Sequence, residues 1–122
     1  MEDKAKPKLG KMFICLNVKD IHISYDFYEK LGFKKSGGDL NENWVIINDG
    51  INEIHLFQGH INSNCINFRG GDVFAIEESL KNQGLKMTSD VEKELDGSVG
   101  AWIKDPDGND IYFNTFINGV RS

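Results

Sequence analysis

The chain has 122 residues, 39% of them hydrophobic and 27% charged, the make-up of one folded domain or of two very small halves that share a core. Its apolar runs fall far short of the ~20 residues that span a bilayer, and its first eleven residues lack the apolar stretch of a signal peptide, so a cytoplasmic protein is expected. A net charge of −5, from 14 Lys and Arg against 19 Asp and Glu, argues against a grip on nucleic-acid phosphates.

Lys4, Lys6, Lys8 and Lys11 read as a solvated basic tail. Met12 to Val18 then alternates, with Met12, Ile14, Leu16 and Val18 on one side and Phe13, Cys15 and Asn17 on the other, which predicts a strand. Asp20 is placed to cap a helix over 20–31. Ile21, Ser24, Phe27, Tyr28 and Leu31 recur at three- and four-residue steps and predict its apolar face. Gly32 suits a left-handed residue just past the helix end. A short strand is expected at Phe33 to Ser36, broken by Gly37-Gly38. Trp44 to Asn48 and Ile51 to Phe57 read as strands joined by a two-residue Asp49-Gly50 hairpin. That turn would set Asn48 opposite Ile51, Val45 opposite Ile54 and Trp44 opposite His55. Val45, Ile54 and Leu56 would then face the helix, with Trp44, Glu53, His55 and Phe57 on the opposite face.

The same order returns. Cys65 to Arg69 alternates, with Ile66 and Phe68 opposed to Cys65 and Asn67. Gly70-Gly71 reads as a turn, and Asp72 is a second cap for a helix over 72–83. Val73, Ile76 and Leu80 form its apolar stripe, Glu77 and Lys81 an i,i+4 pair, and Gly84 its end. A strand is expected at Leu85 to Ser89, an acidic loop at Val91 to Gly97, and strands at Val99 to Lys104 and Ile111 to Phe116 around Asp105-Pro106-Asp107-Gly108. Asp20 to Gly32 matches Asp72 to Gly84 in spacing, and Trp44 with Asp49-Gly50 matches Trp102 with Asp107-Gly108. The chain thus reads as an α+β domain, residues 1–122, of two tandem βαβββ modules, 11–58 and 64–117. Each is too small to bury a good core alone.

In each module the sheet face away from the helix carries a mixed set: Phe13, Cys15, Trp44, Glu53, His55 and Phe57, then Cys65, Asn67, Trp102, Tyr112 and Asn114. Two such faces set edge to edge would make an aromatic-lined trough suited to a small organic molecule. Asp20-Ile21, Ser24 and Phe27-Tyr28-Glu29-Lys30-Leu31-Gly32-Phe33 resemble a signature of the glyoxalase/bleomycin-resistance/dioxygenase (vicinal oxygen chelate) superfamily. Asp105-Pro106-Asp107-Gly108 before a strand is similar to that family's C-terminal signature. The resemblance covers Lys11 to Phe116.

What the resemblance implies is a curved-sheet trough and, in metal-dependent members, His, Gln or Glu on the first and last strands of each module. The matching positions are Phe13, His55, Cys65 and Tyr112. Phe13 offers no lone pair, and Tyr112 is a poor ligand at neutral pH. His55 with Cys65 falls short of the three protein ligands usual for catalytic zinc. The expectation is therefore a protein of the bleomycin-resistance kind that binds a small organic ligand without metal or other cofactor, without nucleic acid or membrane, as a homodimer. The alternative is a metal-dependent lyase, isomerase or dioxygenase. His55 is the candidate catalytic base, and the candidate ligand-binding set is Phe13, Cys15, Trp44, Glu53, His55, Phe57, Cys65, Asn67, Trp102 and Tyr112. His22 and His60 read as solvated, and Cys15 and Cys65 as buried thiols rather than a disulfide.

Overall fold

Alternation over Met12 to Val18 demands an extended chain. A computed structural model, describing residues 7–94 and 97–116, places strand β1 at Gly10–Asn17. Lys4 and Lys6 of the expected tail, Leu95 and Asp96 of the expected acidic loop, and Ile117 at the end of the second expected module lie outside the described residues. After β1 come α1 (Ile21–Lys30), β2 (Lys34–Asp39), β3 (Trp44–Asn48), β4 (Glu53–Phe57), β5 (Cys65–Gly70), α2 (Val73–Asn82), β6 (Ser89–Lys93), β7 (Ser98–Lys104) and β8 (Asp110–Phe116). The order is βαβββ twice, an α+β fold. Among the described residues two compact units result, Phe13–Cys65 and residues 7–12 with 66–94 and 97–116. Among the described residues no helix is long and apolar enough to cross a membrane.

In the first unit the strands run β2-β3-β4-β1, antiparallel except for the parallel β1–β4 pair. Asp20 caps α1 by accepting from the backbone N–H groups of His22 and Ile23, and Gln58 accepts from Ile21 N at 2.8 Å. The first turn of a helix has no internal partners for these donors. At the other end Gly32, at φ 109°, is the left-handed residue. Gly32 N donates to Glu29 O and Phe33 N to Tyr28 O, which satisfies the last free carbonyls. Ile21, Phe33, Val45, Ile47 and Leu56 form the core.

Three local expectations change here. Phe27 and Leu31 are exposed; Tyr28 packs on the core as expected, and Tyr25 joins it in their place. At 100° per residue Tyr25 lies over Ile21, whereas Phe27 and Leu31 line up with Ile23. Strand β2 does not stop at Gly37-Gly38 but bulges there and runs on to Asp39. Gly38, at φ 85°, has no room for a Cβ against the backbone of Trp44 and Val45. Past it, Leu40–Glu42 forms one turn of 3-10 helix. Finally, the β3–β4 connection has four residues, not two, and Asn48 pairs with Glu53, Val45 with Leu56 and Trp44 with Phe57. Asp49 builds that turn by accepting from Ile51 N and Asn52 N. Because the register moves by two residues, every side chain keeps its expected face.

The second unit orders its strands β5-β8-β7-β6, with β6–β7 and β7–β8 antiparallel. Asp72 caps α2 through Ala75 N. Gly84 N donates to Lys81 O and Leu85 N to Leu80 O, the same terminator as in α1. That places Leu85 in the helix-ending turn, half exposed, so the strand expected at Leu85 to Ser89 begins only at Ser89. Val91 to Lys93, expected as loop, belong to it. Val73, Ile76, Met87, Val99, Ile103 and Phe113 make most of this unit's core.

The β7–β8 loop is Asp105 to Asn109, closed by the pair Lys104 and Asp110, rather than a tight Asp107-Gly108 turn. Asp105 accepts from Asp107 N, Asn109 N and Asn109 Nδ2. The Asn109 side chain, then its N–H, holds the Asp105 carboxyl below the usual carboxylate range. Asn52 does the same for Asp49, its backbone N–H first. The two loops therefore match through Asp49 with Asn52 and Asp105 with Asn109. That shifts the repeat: Gly100, not Trp102, stands where Trp44 stands.

Candidate functional site

The face of the first sheet away from α1 carries Phe13 and Cys15 from β1, Trp44 and Ile46 from β3, and Glu53, His55 and Phe57 from β4. β1 and β4 run in parallel with Cys15 beside His55. The Phe13 ring lies flat on the His55 ring, centroids 3.9 Å apart and planes 15° apart. His55 is 2% exposed, and its Nε2 is 2.6 Å from Glu53 Oε2. A carboxylate can only accept, so Nε2 carries the proton. Glu53 keeps 17% of its side chain exposed and is the solvent-facing end of the pair. Phe57 tilts against His55 at 6.3 Å and meets His60 edge-on.

The face of the second sheet is built differently. Asn67 on β5 donates through Nδ2 to Asn114 Oδ1 at 2.8 Å and to Tyr112 O at 3.3 Å. Both amides are buried, where an unmet partner would be costly. Trp102 and Tyr112, directly paired across β7 and β8, stack at 4.2 Å. Tyr112 donates its hydroxyl to Glu94 Oε2 at 2.9 Å. A side chain at Gly100 would overlap the Tyr112 ring and hydroxyl, so glycine there makes room for the tyrosine.

Of the expected site residues, Phe13, Cys15, His55, Cys65 and Asn67 are buried, and Trp44, Glu53, Phe57, Trp102 and Tyr112 are partly exposed. Cys15 and Cys65 are buried thiols, not a disulfide. His22 and His60 are exposed as expected, with His60 Nε2 2.9 Å from Glu42 O. Sequence reasoning missed Ile46, Gly100 and Glu94. Strand parity with Trp44 and Trp102 could have found the first two. Glu94 had no local signal, because its role is to reach a tyrosine 18 residues away.

The four positions at which the family resemblance implies metal ligands hold Phe13, His55, Cys65 and Tyr112. Among the described residues no three His, Cys, Asp or Glu side chains stand together as a metal-holding group. The imidazole is covered by Phe13 and bonded to Glu53, and the phenol is bonded to Glu94. This donor set does not fit a divalent ion that needs three or four converging ligands.

No family model matches the sequence, and no curated protein matches it. Solved structures do share its backbone. A glyoxalase/bleomycin resistance protein/dioxygenase superfamily member from Vibrio splendidus 12B01 is 14% identical, with a TM-score of 0.67 over 86% of this chain and 97% of that one. An NAD-dependent benzaldehyde dehydrogenase from Legionella pneumophila is 12% identical, with a TM-score of 0.73 over 87% and 99%. A Mn(II)-bound glyoxalase from Novosphingobium aromaticivorans is 21% identical, with a TM-score of 0.60 over 89% of this chain but 40% of that one. Names so different on one backbone show that the fold does not decide the activity. Joined to the twice-repeated βαβββ order and its paired helix caps, these likenesses establish that the chain has the fold of the glyoxalase/bleomycin-resistance/dioxygenase superfamily.

Proposed function

We propose that this protein binds a small, planar organic molecule on the sheet faces away from its helices, and that it does so without a metal. The observation that carries the reading is the Phe13–His55–Glu53 arrangement. An ordinary metal ligand of this fold is here stacked under a phenyl ring and bonded to a carboxylate. Four of the residues that stay partly exposed on these faces are aromatic: Trp44, Phe57, Trp102 and Tyr112. Such rings offer stacking area at little entropic cost, and a stacked ring is worth about 1–3 kcal/mol by the standard of base–aromatic contacts. The test is a titration of the purified chain with acridine followed by tryptophan emission, alongside native mass spectrometry for retained compounds. Quenching that saturates, weakened roughly tenfold in Trp44→Ala or Trp102→Ala, supports the reading. Binding indifferent to both substitutions overturns it.

The 2.6 Å His55–Glu53 contact favours a second reading, metal-free proton transfer with Glu53 orienting His55 as base. Turnover of a bound compound that is lost in His55→Gln while its affinity is kept would select this reading over simple binding.

A further inference from the structure

The two cysteines stand far closer in the fold than in the chain. Strands β1 and β5 are hydrogen-bonded neighbours. In one compact unit, a Cβ on Gly10 would meet Arg69 O and Gly71 N, and one on Gly71 would meet Lys8 O. In the other, Asn17 N donates to Asn64 Oδ1 at 2.8 Å. One strand therefore counts up while the other counts down, an antiparallel pair with Gly10 opposite Gly70. Burial alternates without a break at Phe13 and Cys15 along β1 and at Cys65 and Asn67 along β5, so no bulge shifts the register. Five residues on from Gly10 and five back from Gly70, Cys15 comes opposite Cys65, both within the unit Phe13–Cys65. Opposite residues share a face and have Cα atoms about 4.5–5.5 Å apart. A disulfide needs about 4.4–6.8 Å.

We propose that Cys15 and Cys65, thiols in this structure, are a site of reversible oxidation that closes to a cross-strand disulfide, with a small organic disulfide as oxidant. One cysteine, as thiolate, attacks the oxidant and forms a mixed disulfide, and the first small thiol leaves. The other cysteine then attacks the protein sulfur of that mixed disulfide, and the second small thiol leaves with the second proton. The two protein sulfurs are oxidised and the two sulfurs of the oxidant are reduced, so two protein thiols and one small disulfide become one protein disulfide and two small thiols. The cysteines are 3% and 6% exposed, so the first attack is slow. The second is fast, because the partner sulfur already stands opposite. Cys15 is also the β1 partner of His55, which puts the bond beside the histidine of the first sheet face.

Incubating the full, folded chain with 2-hydroxyethyl disulfide, followed by intact mass and an unreduced peptide map, tests this. The expected product is a single chain lighter by two hydrogens, with the Cys15 and Cys65 peptides joined and both thiols restored by dithiothreitol. Cys15→Ala and Cys65→Ala should each stop at the mixed disulfide. The folded chain should favour the internal bond over double adducts at least several-fold more than the chain unfolded in urea, where closing so long a loop is costly. Double adducts, bonds between chains, folded thiols still unreacted after a day, or no preference over the unfolded chain would each overturn the proposal. Acridine binding by the reduced chain reads separately, so failure here leaves the proposed function standing.

Discussion

At matching strand positions the two modules fill the same kind of face with opposite chemistry. The first sets Phe13, Trp44 and Phe57 around a histidine, and the second sets Gly100 and Asn114 around a tyrosine. In the first a ring covers the polar group, as Phe13 lies on His55. In the second, glycine yields the space and Tyr112 spreads into it beside Trp102. Each central group nonetheless ends on one carboxylate, Glu53 or Glu94. The shared caps and cores show what the fold requires, and the unshared faces show where this chain has been free to specialise.

The largest effect should come from the part the modules share. Leu56→Ala in the first core should cost about 2–5 kcal/mol, and Phe113→Ala in the second about 3–5 kcal/mol, read by urea unfolding. Losses below 1 kcal/mol would mean that these cores do not carry the modules. Next in size is the glycine. Gly100→Ala should cost about 1–3 kcal/mol by overpacking, and less in a Tyr112→Ala background, because the two groups contend for one space. Strict additivity of the two changes would remove the contrast drawn between Trp44 and Gly100.

Asn67→Ala should cost about 1–3 kcal/mol by stranding the buried Asn114 amide. A double-mutant cycle of Asn67→Ala with Asn114→Ala should show coupling, and its absence would sink the amide-pair assignment. The smallest effect concerns the two loops. Asp49 and Asp105 have folded pKa values below the ordinary carboxylate value. The stability they add is therefore complete above pH ~4 and fades as pH falls through the lowered values. Asp49→Asn/Asp105→Asn should flatten the decline of stability in acid, measured by urea unfolding at falling pH. An unchanged acid limb would count against the turn geometry.

How much of this was legible depended on distance along the chain. Asp20, Gly32, Asp72 and Gly84 act within one turn of their helices, so the sequence alone placed both helices. The faces of β3 and β4 survived a wrong hairpin because the error was two residues, an even slip. Trp102 was aligned with Trp44 because Asp-Gly pairs looked equivalent. The true match runs through Asp49 with Asn52 and Asp105 with Asn109, and the second loop is one residue longer. Phe27 and Leu31 fitted the helical period, yet Tyr25 took the core beside the expected Tyr28, since period alone does not say which of two apolar stripes meets the sheet. Glu94 finding Tyr112, and Phe13 lying flat on His55, are tertiary contacts that no local pattern announces.

The central claim is that the first module has exchanged a metal ligand's role for a stacked, carboxylate-bonded histidine. Its most direct test is bound metal per chain, for protein purified without chelators or a metal-binding tag, dialysed in turn against zinc, nickel and manganese and measured by elemental mass spectrometry. The account predicts clearly substoichiometric metal in every case, unchanged in His55→Ala. Near-stoichiometric metal that disappears in His55→Ala would contradict it.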